Sequence, residues 1–160
     1  MSGKSEIAYF AAGCFWGVEA AFRQVKGVTE TAVGYQGGHT LSPTYQQVCY
    51  EDTMHAEVVR VTFDPEIVSY EQLLSVFWSN HNPTTLNRQG PDIGTQYRSA
   101  IFYVSDAQKE AAEASKKILE ERKVFPNPIV TEITPAPDFH MAEEYHQQYL
   151  EKRGMATCHI

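Results

Sequence analysis

Cys14 stands within Gly13-Cys14-Phe15-Trp16-Gly17, after the apolar run Ile7-Ala8-Tyr9-Phe10-Ala11-Ala12 and before Val18, Ala21, Phe22 and Val25 at helical spacing. A strand that ends in glycine and runs straight into a helix sets the next residue on the helix's first turn. Unpaired backbone N–H groups and the positive end of the macrodipole favour an anion there. A thiol so placed loses its proton more easily than a free one, and the thiolate is the reactive form. The plainer reading of a lone thiol is a buried, inert one. Two large aromatics directly after it argue otherwise, because they are awkward in a structural turn but suit a wall for an apolar substrate group. Cys14 is the candidate nucleophile.

Partners for a thiolate come from the two segments that break the strand–helix rhythm. The first holds Tyr45, Cys49 and His55-Ala56-Glu57 at the mouth of a strand. A carboxylate in that position usually faces solvent. Were Glu57 instead buried under aromatics beside Cys14, desolvation would raise its pKa and let it act as a proton donor near neutrality. His55 could serve Cys14 as a base, although a lone histidine near a turn is more often a surface residue. The second segment runs from Asp92 to Tyr97. Tyr97 and Tyr45 can both offer hydroxyl donors to an oxygen in an apolar site, against the alternative of core packing with a wet tip.

Cys158 lies third from the end of the 160 residues and makes little sense as a packed structural cysteine. It reads better as a second thiol on a mobile arm beyond Gly154, able to meet an oxidised Cys14. Cys49 has apolar neighbours and is read as buried and inert. The histidines and cysteines lack ligand pairs at zinc-finger or HExxH spacing, so no metal is expected. No glycine-rich phosphate loop is present, and no cofactor is expected.

The elements that must position these groups are short and alternate. Strands are predicted at 6–12, 28–35, 56–63, 99–104 and 129–133, and helices at 14–25, 70–80, about 106–123 and 142–152. Ser69 is the expected cap of the second helix and Ser105 or Asp106 that of the third. Residues 44–50 are ambiguous, and 81–97 shows no period at all. The order β-α-β-β-α-β matches a ferredoxin-like plait, which implies an α+β two-layer sandwich with helices on one face of an antiparallel sheet. A C-terminal helix and an extended tail follow.

Size and composition bound the rest. The 160 residues suit a single domain, with 152–160 as its tail. A net charge of −7 argues against nucleic-acid and anionic-membrane partners. Three cysteines without framework spacing fit a reducing compartment, where a disulfide is transient and catalytic. Neither a signal peptide nor a spanning segment is expected, and the chain is read as cytoplasmic. Three functions remain open on these residues: a thiol-dependent reductase, a cysteine hydrolase or acyltransferase using Cys14 with His55, and a non-enzymatic ferredoxin-like binding module.

Four motifs then carry a resemblance. Gly13-Cys14-Phe15-Trp16-Gly17, His55-Ala56-Glu57, Asn87-Arg88-Gln89-Gly90 and Gly94-Thr95-Gln96-Tyr97-Arg98-Ser99 resemble those of the A-type peptide methionine sulfoxide reductases, a repair route for oxidised methionine. The likeness runs from about residue 6 to the tail. It implies that Cys14 attacks the sulfoxide sulfur and that Phe15 and Trp16 hold the substrate methyl group. Glu57 would protonate the sulfoxide oxygen, with Tyr45 and Tyr97 as hydrogen-bond donors and Asp92 helping to position the substrate. Cys14 would be left as a sulfenic acid, and Cys158 would condense with it to a disulfide that thioredoxin reduces. The substrate implied is the S epimer of methionine sulfoxide, free or in peptides, and a monomer is expected. Met54, Asn82 and Pro91 depart from the commonest family pattern, at positions outside the proposed catalytic set.

Overall fold

Strand β1 (Glu6–Ala12) leads into helix α1 (Phe15–Arg23), followed by β2 (Val28–Gln36), β3 (Ala56–Phe63) and helix α2 (Tyr70–Ser79). Two short strands, β4 (Arg88–Gln89) and β5 (Asp92–Ile93), precede a 3-10 turn at Thr95–Tyr97. Strand β6 (Ser99–Tyr103), helix α3 (Asp106–Glu121), β7 (Glu132–Pro135) and β8 (His140–Met141) complete the order. The computed structural model describes residues 5–38, 55–89, 92–143 and 146–147.

Among the described residues the main sheet has the order β7-β6-β1-β3-β2-β8, and β4 and β5 form a separate hairpin. β1 lies antiparallel to β3, with Phe10 opposite Val59, and antiparallel to β6, with Phe10 opposite Ile101. β2 and β3 are antiparallel with Tyr35 opposite Glu57, whereas β7 runs parallel to β6. The sheet is therefore mostly antiparallel, and the described residues form strands and three helices.

One face of the sheet carries Phe10, Val59, Val61, Phe63 and Ile101, packed with Phe15, Val18 and Phe22 of α1 and Leu73, Leu74 and Phe77 of α2. Phe10 is the centre of this layer: its ring stacks on Phe22 at 4.9 Å and meets Phe77 at 5.4 Å. Fully burying one such ring contributes about 1.5–3 kcal/mol. The opposite face is covered thinly, with Ala11, Ala56, Val58, Ala100 and Phe102 packed against Ala136 and Phe139. Period-2 alternation in β3 sorts its residues between these faces.

The expected caps are present. The Ser69 hydroxyl accepts the Gln72 N–H at 3.1 Å while Gln72 Oε1 accepts the Ser69 N–H at 2.8 Å, a reciprocal capping box. Ser105 accepts the Gln108 N–H at 3.2 Å.

Several boundaries move. The strand expected at 129–133 occurs at Glu132–Pro135, because Ile129 turns into the core and the Val130 N–H is taken by Pro83 O at 2.8 Å. Pro135 is tolerated because β7 lies at the edge of the sheet. The aperiodic 81–97 segment holds the β4–β5 hairpin and the 3-10 turn. β8 has no period long enough to announce it. It pairs with β2 at Gly34, where a Cβ would run into the His140 carbonyl oxygen, so only glycine admits that approach. The ambiguous 44–50 piece and most of the helix expected at 142–152 lie outside the described residues.

His81 closes the C-terminal end of α2 with a directed chain. A carbonyl only accepts, so His81 Nδ1–H donates to Phe77 O at 2.7 Å, and Nε2 accepts from Ser99 Oγ at 2.7 Å. With its proton given to His81, Ser99 Oγ accepts in turn from Thr131 Oγ1 at 2.7 Å. Burial lowers the His81 pKa from 6.5 to about 4, outweighing the opposing pull of the Phe77 carbonyl. The unfolded chain takes this proton near pH 6.5 and the folded one only near 4, so stability is full above 6.5 and falls as the pH drops toward 4. Urea unfolding of the wild type is expected to show about 2 kcal/mol less stability at pH 5 than at pH 7 from this group. His81→Gln should remove that share of the pH dependence; an unaltered slope would refute the assignment.

Candidate active site

The end of β1 and the start of β3 meet because the two strands are antiparallel, with Phe10 opposite Val59. Carried two residues further, that register brings the Gly13–Cys14 turn to the strand end that bears Glu57. Gly13 makes the turn with φ 99°, and a Cβ there would lie 2.8 Å from the Gln89 side chain. Both its conformation and its neighbour demand glycine. Gln89 is held in turn, its Oε1 accepting the Asn82 N–H at 2.9 Å.

Cys14 is the N-cap of α1, with φ −56° and ψ 119°, and its carbonyl accepts the Val18 N–H at 3.4 Å. The residue is half-buried. The next N–H, that of Phe15, donates to Glu57 Oε1 at 3.1 Å. Glu57 is 2% exposed, contrary to the usual habit of a carboxylate at a strand mouth. A carboxyl group 42 residues away thus satisfies one of the N–H groups that the first turn of α1 leaves without an intrahelical acceptor.

Phe15 and Trp16 take different roles in packing. Phe15 is 1% exposed and tilts against Tyr35 at 5.7 Å, whereas Trp16 is only partly buried. A third ring joins them. His146 lies 5.4 Å from the Phe15 ring and is stacked 5.6 Å from that of Trp16. The Trp16 Nε1–H donates to His146 Nδ1 at 3.0 Å. Burial lowers the His146 pKa below its ordinary value, against the opposing effect of Glu143. Next to it, Gln147 accepts the Val33 N–H at 2.8 Å and donates to Val33 O at 2.9 Å, tying this segment to β2.

His55 is 2% exposed, which corrects its reading as a surface residue. Its Nδ1 accepts the Gly38 N–H at 3.0 Å, and its ring meets His140 edge-on at 5.3 Å. That nitrogen therefore serves the backbone.

Asp92 and Tyr97 arrive on the segment that lacked periodicity. Asp92 is half-buried on β5, opposite Gln89, and so belongs to the hairpin that abuts Gly13. Tyr97 is half-buried on the 3-10 turn, which packs against β3 and β4. Arg98 pins this turn: its Nε donates to Glu132 Oε1 at 3.1 Å and one terminal nitrogen to Thr95 O at 3.0 Å. Tyr45, Cys49 and Cys158 lie outside the described residues. Cys14, Phe15, Trp16 and Glu57 thus come together directly, while Asp92 and Tyr97 sit on elements leaning against them. Tyr35, Gln89, His146 and Gln147 were missed as site residues, since each acts through a tertiary contact that no local pattern signals.

The peptide methionine sulfoxide reductase family model matches residues 6–160. A peptide methionine sulfoxide reductase MsrA of Methanosarcina acetivorans is 68% identical over 149 residues, covering 93% of this chain and 79% of that protein. The crystal structure of Mxr1 from Saccharomyces cerevisiae in reduced form superposes with a TM-score of 0.88 at 38% identity, over 96% of this chain and 88% of that one. Mxr1 in complex with Trx2 matches with a TM-score of 0.64 at 25% identity, over 93% of this chain and 87% of that one. The chain belongs to the peptide methionine sulfoxide reductase family and is an oxidoreductase. No helix among the described residues is long and apolar enough to cross a membrane.

Proposed function

We propose that the protein reduces methionine-S-sulfoxide, free or in peptides, with Cys14 as nucleophile and Glu57 as acid. The observation that carries this reading is the hydrogen bond from the Phe15 N–H to Glu57 Oε1, which holds a buried carboxyl group at the helix start that Cys14 caps. Sulfoxide oxygen is a poor leaving group until protonated, so the reaction needs an acid at oxygen and a thiolate at sulfur together. A helix start favours one negative charge, and two adjacent anions repel, so the pair is best arranged with one charge and one proton. Because Oε1 accepts the Phe15 N–H, the acid proton is carried on Oε2.

The thiolate sulfur bonds to the sulfoxide sulfur as the oxygen takes the proton. The hydroxyl then passes to the Cys14 sulfur as the substrate's sulfur–oxygen bond and the new sulfur–sulfur bond break, leaving Cys14 as a sulfenic acid and releasing methionine. Trp16, backed by Phe15, forms the wall for the S-methyl group. Asp92 orients the substrate, and Tyr45 and Tyr97 donate to the oxygen. The thiol of Cys158 then displaces water from the sulfenic acid, giving a disulfide that a thioredoxin reduces by exchange. The Trx2 complex of the Mxr1 relative supports the thioredoxin step. Strand order β6-β1-β3-β2 supports a ferredoxin-like plait; the proposed cycle further takes the chain as one domain whose residues 152–160 bring Cys158 to Cys14. A transient disulfide and a net charge of −7 suit a monomer in the cytoplasm.

The test is a single-turnover assay of the reduced enzyme with each sulfoxide epimer, followed by mass analysis. The expected result is methionine from the S epimer alone and a loss of two hydrogens mapped to Cys14 and Cys158. Absence of methionine would overturn the reading. Cys158→Ser should still make about one methionine per enzyme and then stall with thioredoxin as reductant. Continued turnover would remove Cys158 from the cycle.

A further inference from the structure

We propose that His146 is a positioning residue that fixes the orientation of the Trp16 ring, and with it the apolar wall beside Cys14. The inference deepens the sulfoxide reductase reading, on which the substrate role of that wall rests. An indole N–H can only donate, so the 3.0 Å contact requires His146 Nδ1 to be bare and its neutral ring to carry the proton on Nε2. Burial keeps the ring in that neutral form, as its lowered pKa indicates. The two rings lie 29° from parallel with centroids 5.6 Å apart, and the hydrogen bond between their edges fixes the rotation of the indole. An indole on the first turn of a helix would otherwise have several rotamers open to it.

The anchor is itself rigid. Gln147 holds both the N–H and the carbonyl of Val33, and the His146 N–H bonds to Glu143 O at 2.9 Å. His146 is thus referenced to β2, whose Tyr35 stands opposite Glu57. Wall and acid are thereby registered to the same strand pair, although they lie far apart in the chain.

Three variants test the proposal: His146→Leu, which removes the acceptor; His146→Asn, whose Oδ1 stands one bond beyond Cγ as Nδ1 did; and Trp16→Phe, which removes the donor. His146→Leu is expected to raise KM for the S-sulfoxide about tenfold, the worth of one hydrogen bond, with a much smaller change in the single-turnover rate at saturation. His146→Asn should recover most of that loss. In a Trp78→Phe background, which leaves Trp16 as the one tryptophan, its emission should shift in the Leu variant and return in the Asn variant. Adding His146→Leu to Trp16→Phe should cost nothing further.

Equal losses in the Leu and Asn variants, an unshifted emission or additive effects would each overturn the positioning role. If His146→Leu does not fold, the Asn variant and the Trp16→Phe pair still decide it. A wild type that makes no methionine would instead sink the reductase reading, and the emission series would still report on the hydrogen bond.

Discussion

Cys14→Ser is expected to abolish methionine formation altogether, the largest effect of any single substitution in this protein. The proposed reaction moves two electrons from the Cys14 sulfur to the sulfur of the substrate, and a serine hydroxyl has no corresponding oxidised state to reach. Nor is it ionised at the start of a helix, where the local field favours an anion without coming near to deprotonating an alcohol. The substitution removes little packing, since the residue is half-buried and caps α1 through its backbone carbonyl. Serine is also a preferred N-cap, so the fold should hold. The measurement is methionine released per enzyme in one turnover, with thermal unfolding alongside. Methionine at the wild-type rate from a folded Cys14→Ser protein would show that the electrons come from elsewhere.

Glu57→Gln is expected to slow the reductive step by about two to four orders of magnitude, the usual range for loss of a general acid. The amide keeps an oxygen to accept the Phe15 N–H, now held at 3.1 Å by Glu57 Oε1, and fills the same buried volume. It has no acidic proton to give. Rate and structure are therefore separable in this variant: the single-turnover rate collapses while substrate affinity and melting temperature stay near those of the wild type. If the rate does not change, the proton comes from elsewhere, for instance from Tyr45 or Tyr97, and the carboxyl group keeps only its hydrogen bond to the start of α1.

Much of the architecture was legible because the signals are local. β1 and β3 were placed with their observed limits, since a run or alternation of apolar residues reports directly on which faces are buried. The Ser69 cap was legible for the same reason, its hydrogen bonds spanning only three residues. The 81–97 segment was not, because its order comes from side-chain bonds, Gln89 to Asn82 and Thr85 within it and Arg98 beside it to Glu132, rather than from any period of its own. β8 was missed because two residues show no period, and its cause is a glycine on a different strand.

By itself the amino-acid order determined the helix-start thiol and its aromatic neighbours, the alternation of strands and helices, and four motifs that resemble one enzyme family. Only the tertiary structure decided that Glu57 is buried and bonded to the Phe15 N–H, that His55 serves the backbone, and that His146 reaches Trp16 across 130 residues. The division has a physical cause. Periodicity and capping are free energies of neighbouring residues, readable one segment at a time. Which carboxyl group or imidazole meets the thiol depends on strand order and register, set by how the whole chain buries its apolar faces together.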